Sequence, residues 1–148
     1  MKRILIVGTH DATRSQMMHG YLRAYAPNLA EVATAGLDVR RINPRALAAM
    51  QVDGVNISEQ STTPLSAYQG QKFDYLITVS QEAFDRLPQS SAKTEFIHCP
   101  LPDPSDHEGA EVDEATLERE YEALRNEIKA FVIEFVDMYL RQSVNQAM

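Results

Sequence analysis

The chain begins with a segment that can only sit between two other layers. Ile4-Leu5-Ile6-Val7 is an unbroken aliphatic run with no polar alternation, the pattern of a parallel strand covered on both faces. Gly8 ends it. From Thr13 the apolar residues Met17, Met18, Tyr21, Leu22 and Tyr25 recur at helical spacing until Pro27, which a helix crosses only at high cost. The same alternation continues: a strand over Ala30 to Ala35 closed by Gly36, a helix entered at Pro44 and ended by Gly54, a strand from Phe73 to Val79, a short helix from Gln81 to Leu87, and a strand from Thr94 to His98. The last element is the longest, with Leu117, Tyr121, Leu124, Ile128, Phe131, Val132, Phe135 and Met138 marking one apolar stripe. Four strands separated by helical crossovers predict an α/β fold: a single three-layer domain with a four-stranded parallel sheet flanked by helices. Its ligand site is expected at the carboxyl ends of the strands.

At 148 residues the chain is long enough to bury a real core as one domain spanning 1–148. A hydrophobic content of 44% with 24% charged residues places it among globular chains. Its net charge of −7 argues against binding nucleic acid or an anionic membrane surface. The acidity is local: Asp103 to Glu127 holds ten acids and two arginines, most of them expected on the solvated face of the last helix. No apolar stretch near the start approaches the roughly 20 residues of a membrane span. The lone cysteine, Cys99, can form neither an internal disulfide nor a thiolate metal cluster, which fits a cytoplasmic setting.

The loop after the first strand carries the chemistry. In a fold of this kind its backbone N–H groups and the following helix N-terminus converge on one point and favour an anion there. Here it reads Gly8-Thr9-His10-Asp11-Ala12-Thr13-Arg14-Ser15, and it is neither a Walker loop nor a GxGxxG fingerprint. Arg14, just inside the helix after hydroxyl-bearing residues, is suited to grip two oxygens of a tetrahedral oxyanion, a geometry lysine cannot reproduce.

The stretch Ile4 to Gln16, ILIVGTHDATRSQ, resembles the phosphate-binding loop of low-molecular-weight protein tyrosine phosphatases and the related thioredoxin-coupled arsenate reductases, whose pattern is Cys, five residues, then Arg-Ser. The likeness continues in order through Ala35-Gly36, Asn43-Pro44-Arg45-Ala46, Gly54-Val55-Asn56-Ile57-Ser58, Phe73 to Val79 and Pro102-Asp103-Pro104, with the reductase branch the nearer. The resemblance implies Arg14 as oxyanion clamp, Ser15 as the partner of a nucleophilic thiol, and Asp103 as the acid that protonates a leaving group. The nucleophile position is Gly8, so covalent catalysis through it is impossible. The second loop cysteine of many relatives corresponds to Thr13, and the reductases' relay cysteines to Ser80 and Leu87, leaving no electron path for a thioredoxin-coupled reduction.

Cys99 and His10 are the substitute nucleophiles within reach; a buried inert thiol and a rim imidazole are the plainer readings. Asp11 replaces an asparagine of the family loop, and its charge is expected to weaken anion binding. His19 and Thr34 occupy places where the reductases ligate a structural potassium ion; a histidine there is a poor ligand, and no metal or other cofactor is expected. After Asp103 the chain lacks the tyrosine pair that walls a phosphotyrosine pocket, and His98 and His107 read as solvated or loop-bridging residues. The favoured function is a catalytically inactive relative that keeps an oxyanion loop built from Gly8, Thr9, His10, Asp11, Ala12, Thr13, Arg14 and Ser15. It would act by binding a phosphate-like anion, a phosphorylated ligand, a protein partner or another copy of itself. The alternatives are a phosphatase using an unrecognised nucleophile, with Arg14 and Asp103 in their family roles, and an interaction scaffold with a vestigial pocket.

Overall fold

A computed structural model describes residues 1–87 and 93–141. Four strands, β1 (Lys2–Gly8), β2 (Ala30–Gly36), β3 (Tyr75–Thr78) and β4 (Glu95–His98), form one parallel sheet in the order β2-β1-β3-β4. The helices are α1 (Arg14–Tyr25), α2 (Pro44–Val52), α3 (Gln81–Arg86) and α4 (Glu114–Phe135), with short 3₁₀ turns at Leu65–Tyr68 and Pro104–His107. Among the described residues no helix is long and apolar enough to cross a membrane.

Alternation along β1 divides the core. Ile4 and Ile6 face the larger cluster, with Met17, Met18, Tyr21 and Leu22 of α1, Met50 of α2, and Leu124, Ile128 and Val132 of α4. Leu5 and Val7 face the other side, with Phe73, Leu76 and Ala83. A strand wrapped on both faces has no position for a polar residue, which is why its sequence shows no alternation.

The chain leaves β1 toward β2 on one side and returns to β3 on the other, so β1 sits at the point where the winding reverses and a crevice opens beyond the strand ends. The carboxyl end of β1 runs directly into the Gly8–Ser15 loop.

Several boundaries differ from the sequence expectation. The third strand is shorter than Phe73 to Val79: Phe73 packs into the smaller cluster before the ladder begins, and Val79 donates to Val7 just beyond it. The fourth starts at Glu95, and α3 stops at Arg86. The stripe of α4 does not reach Met138. A π-helical segment, Val136–Arg141, adds residues per turn and shifts the buried phase to Val136 and Leu140, leaving Met138 54% exposed. α2 starts as its sequence suggests: Asn43 Oδ1 accepts from Arg45 N at 2.8 Å and Pro44 occupies the first turn.

Gly20, inside α1, lies tightly against the Val55–Ile57 segment. A Cβ built there lies 2.7 Å from Ile57 Cγ2 and 3.1 Å from Val55 Cγ1. Alanine has the higher helix propensity, by about 1 kcal/mol, yet overpacking a core commonly costs about 1–3 kcal/mol. Gly20→Ala is therefore expected to lower the urea midpoint; an increase would show that the Val55–Ile57 segment yields freely.

Candidate functional site

The loop from Gly8 to Ser15 is held from outside by the segment that follows β2. Leu37 N donates to Gly8 O (3.3 Å), Asp38 N to Thr9 O (2.8 Å), Arg40 N to His10 O (3.0 Å) and Asn43 N to Ala12 O (2.9 Å). Gln16 Nε2 donates to Asp11 O at 3.0 Å, and Met17 N to Thr13 O at 2.9 Å. Every carbonyl from Gly8 to Thr13 thus has a donor. Among the described residues, no protein acceptor takes the backbone N–H groups from Thr9 to Ser15. Thr13, the N-cap of α1, makes no side-chain cap. The loop turns back through Asp11, whose φ of 52° is a left-handed value that a short polar side chain tolerates. Gly36 makes the approach possible, since a Cβ there would meet the carbonyl carbon of His10 at 2.9 Å.

The Asp11 carboxylate turns into the protein. Oδ1 accepts from Ser15 Oγ (2.6 Å) and Gln16 Nε2 (3.0 Å), and Oδ2 from Thr34 Oγ1 (3.0 Å) and Thr63 N (2.9 Å). This corrects the expectation that its charge bears directly on the anion position: four donors surround it and it acts as a strut between loop, helix, β2 and the Thr63 segment. Burial raises its pKa above 3.8, and those hydrogen bonds oppose the shift without cancelling it.

Arg14 reaches across the strand ends. Nη1 donates to Leu101 O at 3.0 Å, and Nη2 lies 3.4 Å from Asp103 Oδ2, both side chains nearly covered. Asp103 Oδ1 accepts from Ser105 N and Oγ, at 3.0 and 2.6 Å, capping the 3₁₀ turn at Pro104–His107. The clamp and the acid implied by the resemblance therefore meet, but the aspartate holds a turn and the arginine rather than standing free.

Gly8 to Ser15, with Asp103, line a cavity of about 390 Å³ whose remaining wall is Arg40 to Pro44, Ser105, Asp106 and Glu108. Sequence reasoning missed that wall. Asn43-Pro44 was visible only as part of a motif, and Arg40-Arg41 carried no signal that set it apart. The wall is braced behind the cavity: Asn43 Nδ2 donates to Tyr121 Oη and that hydroxyl to Glu108, each at 2.8 Å, while Arg45 forks onto Glu114 at 2.7 and 2.8 Å.

Of the two substitute nucleophiles, His10 lines the cavity and Cys99 does not. Cys99 packs against the larger core cluster, and burial pushes its thiol up to about 11. His10 Nδ1 is 2.8 Å from Asp38 O at the rim. Ser80, at a relay position, caps α3 by accepting from Ala83 N at 3.1 Å. His107 bridges to Glu120 at 2.8 Å. His98, expected from sequence to be solvated or loop-bridging, is instead a half-buried strand-end residue: its Nδ1 pairs with Thr78 Oγ1 at 2.8 Å, Phe84 covers the ring, and Nε2 is buried without a partner. At the positions of the potassium ligands, Thr34 is engaged with Asp11, and burial lowers the His19 pKa to about 4. A neutral imidazole in place of an oxygen donor does not fit a hard cation.

A parallel sheet whose switch-point loop exposes its amides beside an arginine defines the class of α/β proteins with a phosphate-type loop. Within that class the chain belongs to the low molecular weight phosphotyrosine protein phosphatase family, whose model matches residues 3–146. An arsenate reductase of Halalkalibacterium halodurans is 30% identical over 131 residues, covering 88% of this chain and 94% of that protein. One of Bacillus subtilis is 28% identical, with coverage of 88% and 94%. An arsenate reductase solved in a phosphate-binding state superposes with a TM-score of 0.77 at 23% identity, covering 93% of this chain and 98% of that one. A tyrosine phosphatase of Erwinia amylovora gives 0.74 at 18%, covering 93% of each. The last two show the shared fold.

The strut makes a signed pH prediction. Because the folded pKa of Asp11 is raised, the native state holds more protons than the unfolded chain between pH 3.8 and the folded value. Its contribution is complete below about pH 3.8 and is lost as pH rises through the folded pKa. Subtracting the pH–stability profile of Asp11→Asn from that of the parent should give a difference that falls with rising pH; a difference that rises would mean the carboxylate is stabilised as an anion.

Proposed function

We propose that this chain is a non-catalytic member of its family that binds a tetrahedral oxyanion, free or as a phosphorylated ligand, in the Gly8–Ser15 loop. The observation that carries the reading is the division of the loop backbone: its carbonyls are consumed by the 37–43 segment, Gln16 and Met17, while its amides and the first turn of α1 find no protein acceptor. Such an array favours an anion without any covalent partner. Arg14 supplies the charge, and its nearly covered guanidinium is held by Leu101 O and Asp103, so little side-chain entropy remains to be lost on binding. Asp11 does not oppose the ligand at close range. At Gly8 no atom can attack phosphorus or arsenic, and removing a thiolate also removes a charge that would repel the ligand. A cytoplasmic setting, in which a lone thiol stays reduced, completes the reading.

Phosphate titration followed by melting temperature tests binding. A ligand at a hundred times its dissociation constant adds about 2.7 kcal/mol, a shift of roughly 5–10 °C in a chain of this size. Arg14→Ala should abolish most of that shift, and the parent should hydrolyse aryl phosphates no faster than buffer. No shift at high phosphate would favour a scaffold with a vestigial pocket. Turnover that disappears in Arg14→Ala would establish a hydrolase with another nucleophile.

Restoring the sulfur tests the loop itself. A Cβ at position 8 meets Val79 Cγ2 at 3.2 Å and Ser15 Oγ at 3.8 Å, so cysteine fits after a small shift. In Gly8→Cys the Ser15 hydroxyl remains committed to Asp11, and the thiol should be only partly activated. Gly8→Cys with Asp11→Asn frees that hydroxyl, and the pH at which alkylation by iodoacetamide is half-maximal should drop further. Equal values in the two variants would show that Ser15 does not address this position.

A further inference from the structure

We propose that the mouth of the cavity carries a second anion subsite, formed by Arg40 and Arg41, so that the preferred ligand is a phosphomonoester with a carboxylate a few bonds from the phosphate. This rests on the reading of the loop as an oxyanion site and names the class of ligand it takes. The cavity of about 390 Å³ falls in the range of small-molecule pockets, well above what a lone tetrahedral ion fills. Its arginines are unequally engaged. Arg14 is paired with Asp103, whereas exposed Arg41 has neither hydrogen bond nor ion pair among the described residues. Arg40 has only a 3.9 Å approach to the exposed Asp38 carboxylate, which also lies 3.6 Å from His10.

Two guanidinium groups on one lip are therefore available, and their backbone is fixed relative to the loop. Arg40 N binds His10 O at 3.0 Å and Asn43 N binds Ala12 O at 2.9 Å, which brackets both arginines between anchors on the phosphate-type loop. The cavity lining also carries acids. Glu108 is taken by Arg45 and Tyr121, but the Asp106 carboxylate makes no hydrogen bond or ion pair among the described residues, only a charge interaction with His107, and it repels a second negative group. A two-headed anion seated on Arg14 is thus steered toward 40–41. No Phe, Tyr or Trp lines the cavity, so an aryl ester finds no phenyl or indole ring to stack on.

Calorimetric titrations with inorganic phosphate, glycerol 3-phosphate and 3-phosphoglycerate test this on the parent and on Arg40→Gln/Arg41→Gln, two exposed changes that leave the loop intact. The parent should bind 3-phosphoglycerate at least tenfold more tightly than glycerol 3-phosphate, equivalent to about 1.4 kcal/mol. In the double variant that ratio should fall toward one, while inorganic phosphate changes by less than about threefold, since its loop contacts remain. A second arm compares phosphoserine peptides with glutamate or glutamine after the phosphorylated residue. A glutamate preference that requires Arg40 and Arg41 assigns the carboxylate to a protein ligand, and a preference confined to 3-phosphoglycerate assigns it to a small molecule. Phosphate binding with no carboxylate preference in either arm, or a preference that survives the double variant, overturns the subsite and leaves the oxyanion loop standing. Failure of phosphate itself to bind, with Arg14→Ala indistinguishable from the parent, overturns both.

Discussion

The Asp11 carboxylate is the constraint on which the site depends. One side chain accepts from a helix hydroxyl, a helix amide, a strand hydroxyl and a backbone amide of the Thr63 segment, joining pieces of chain separated by up to 52 residues. Breaking such a cluster leaves several buried donors unsatisfied, each at a cost of about 1–3 kcal/mol. The left-handed turn at Asp11, the course of the loop and the aim of α1 follow from that anchorage. A carboxylate can take donors at both oxygens, whereas an asparagine amide offers one oxygen and a donor nitrogen. Asp11 thus supports the loop from beneath and accepts the Ser15 hydroxyl hydrogen bond, although that oxygen still lies beside position 8.

How much of this could be read beforehand depends on the range of the interaction. The sheet class and α1 were legible because burial on both faces of β1 and one-sided burial of α1 impose short-range patterns on Ile4 to Val7 and on Met17 to Leu22. The family resemblance placed Arg14 and Asp103 at one site as clamp and acid, but their pairing with each other was not legible in it. The direction of the Asp11 side chain was not legible: its donors at Thr34 and Thr63 become neighbours only once β2 lies beside β1. The end of the last helix failed for a different reason, since a π-turn keeps every apolar residue but changes the angle at which Met138 leaves the axis.

The braced wall around Asn43 shows the same limit. Asn43 caps its own helix with one side-chain atom and reaches Tyr121 with the other, and Tyr121 passes the connection to Glu108. Burial and the bond to Glu108 hold that tyrosine protonated, raising its pKa above the usual phenol value. Arg45 completes the brace through Glu114 at the start of α4. Part of the acidic segment that looked like solvated surface in the sequence therefore fixes or lines the cavity wall, whereas Glu118 and Glu127 of α4 are exposed.

The absence of a sulfur atom from the loop has an environmental consequence. Thiolate-based active sites are silenced by peroxide, because the ionised sulfur they need is also the first atom to become sulfenic or sulfinic acid. Between Gly8 and Ser15 there is neither cysteine nor methionine, Met17 and Met18 are fully enclosed, and Cys99 is protected by its raised pKa. The loop therefore offers peroxide no sulfur to oxidise, unlike a site of the same shape built around a thiolate.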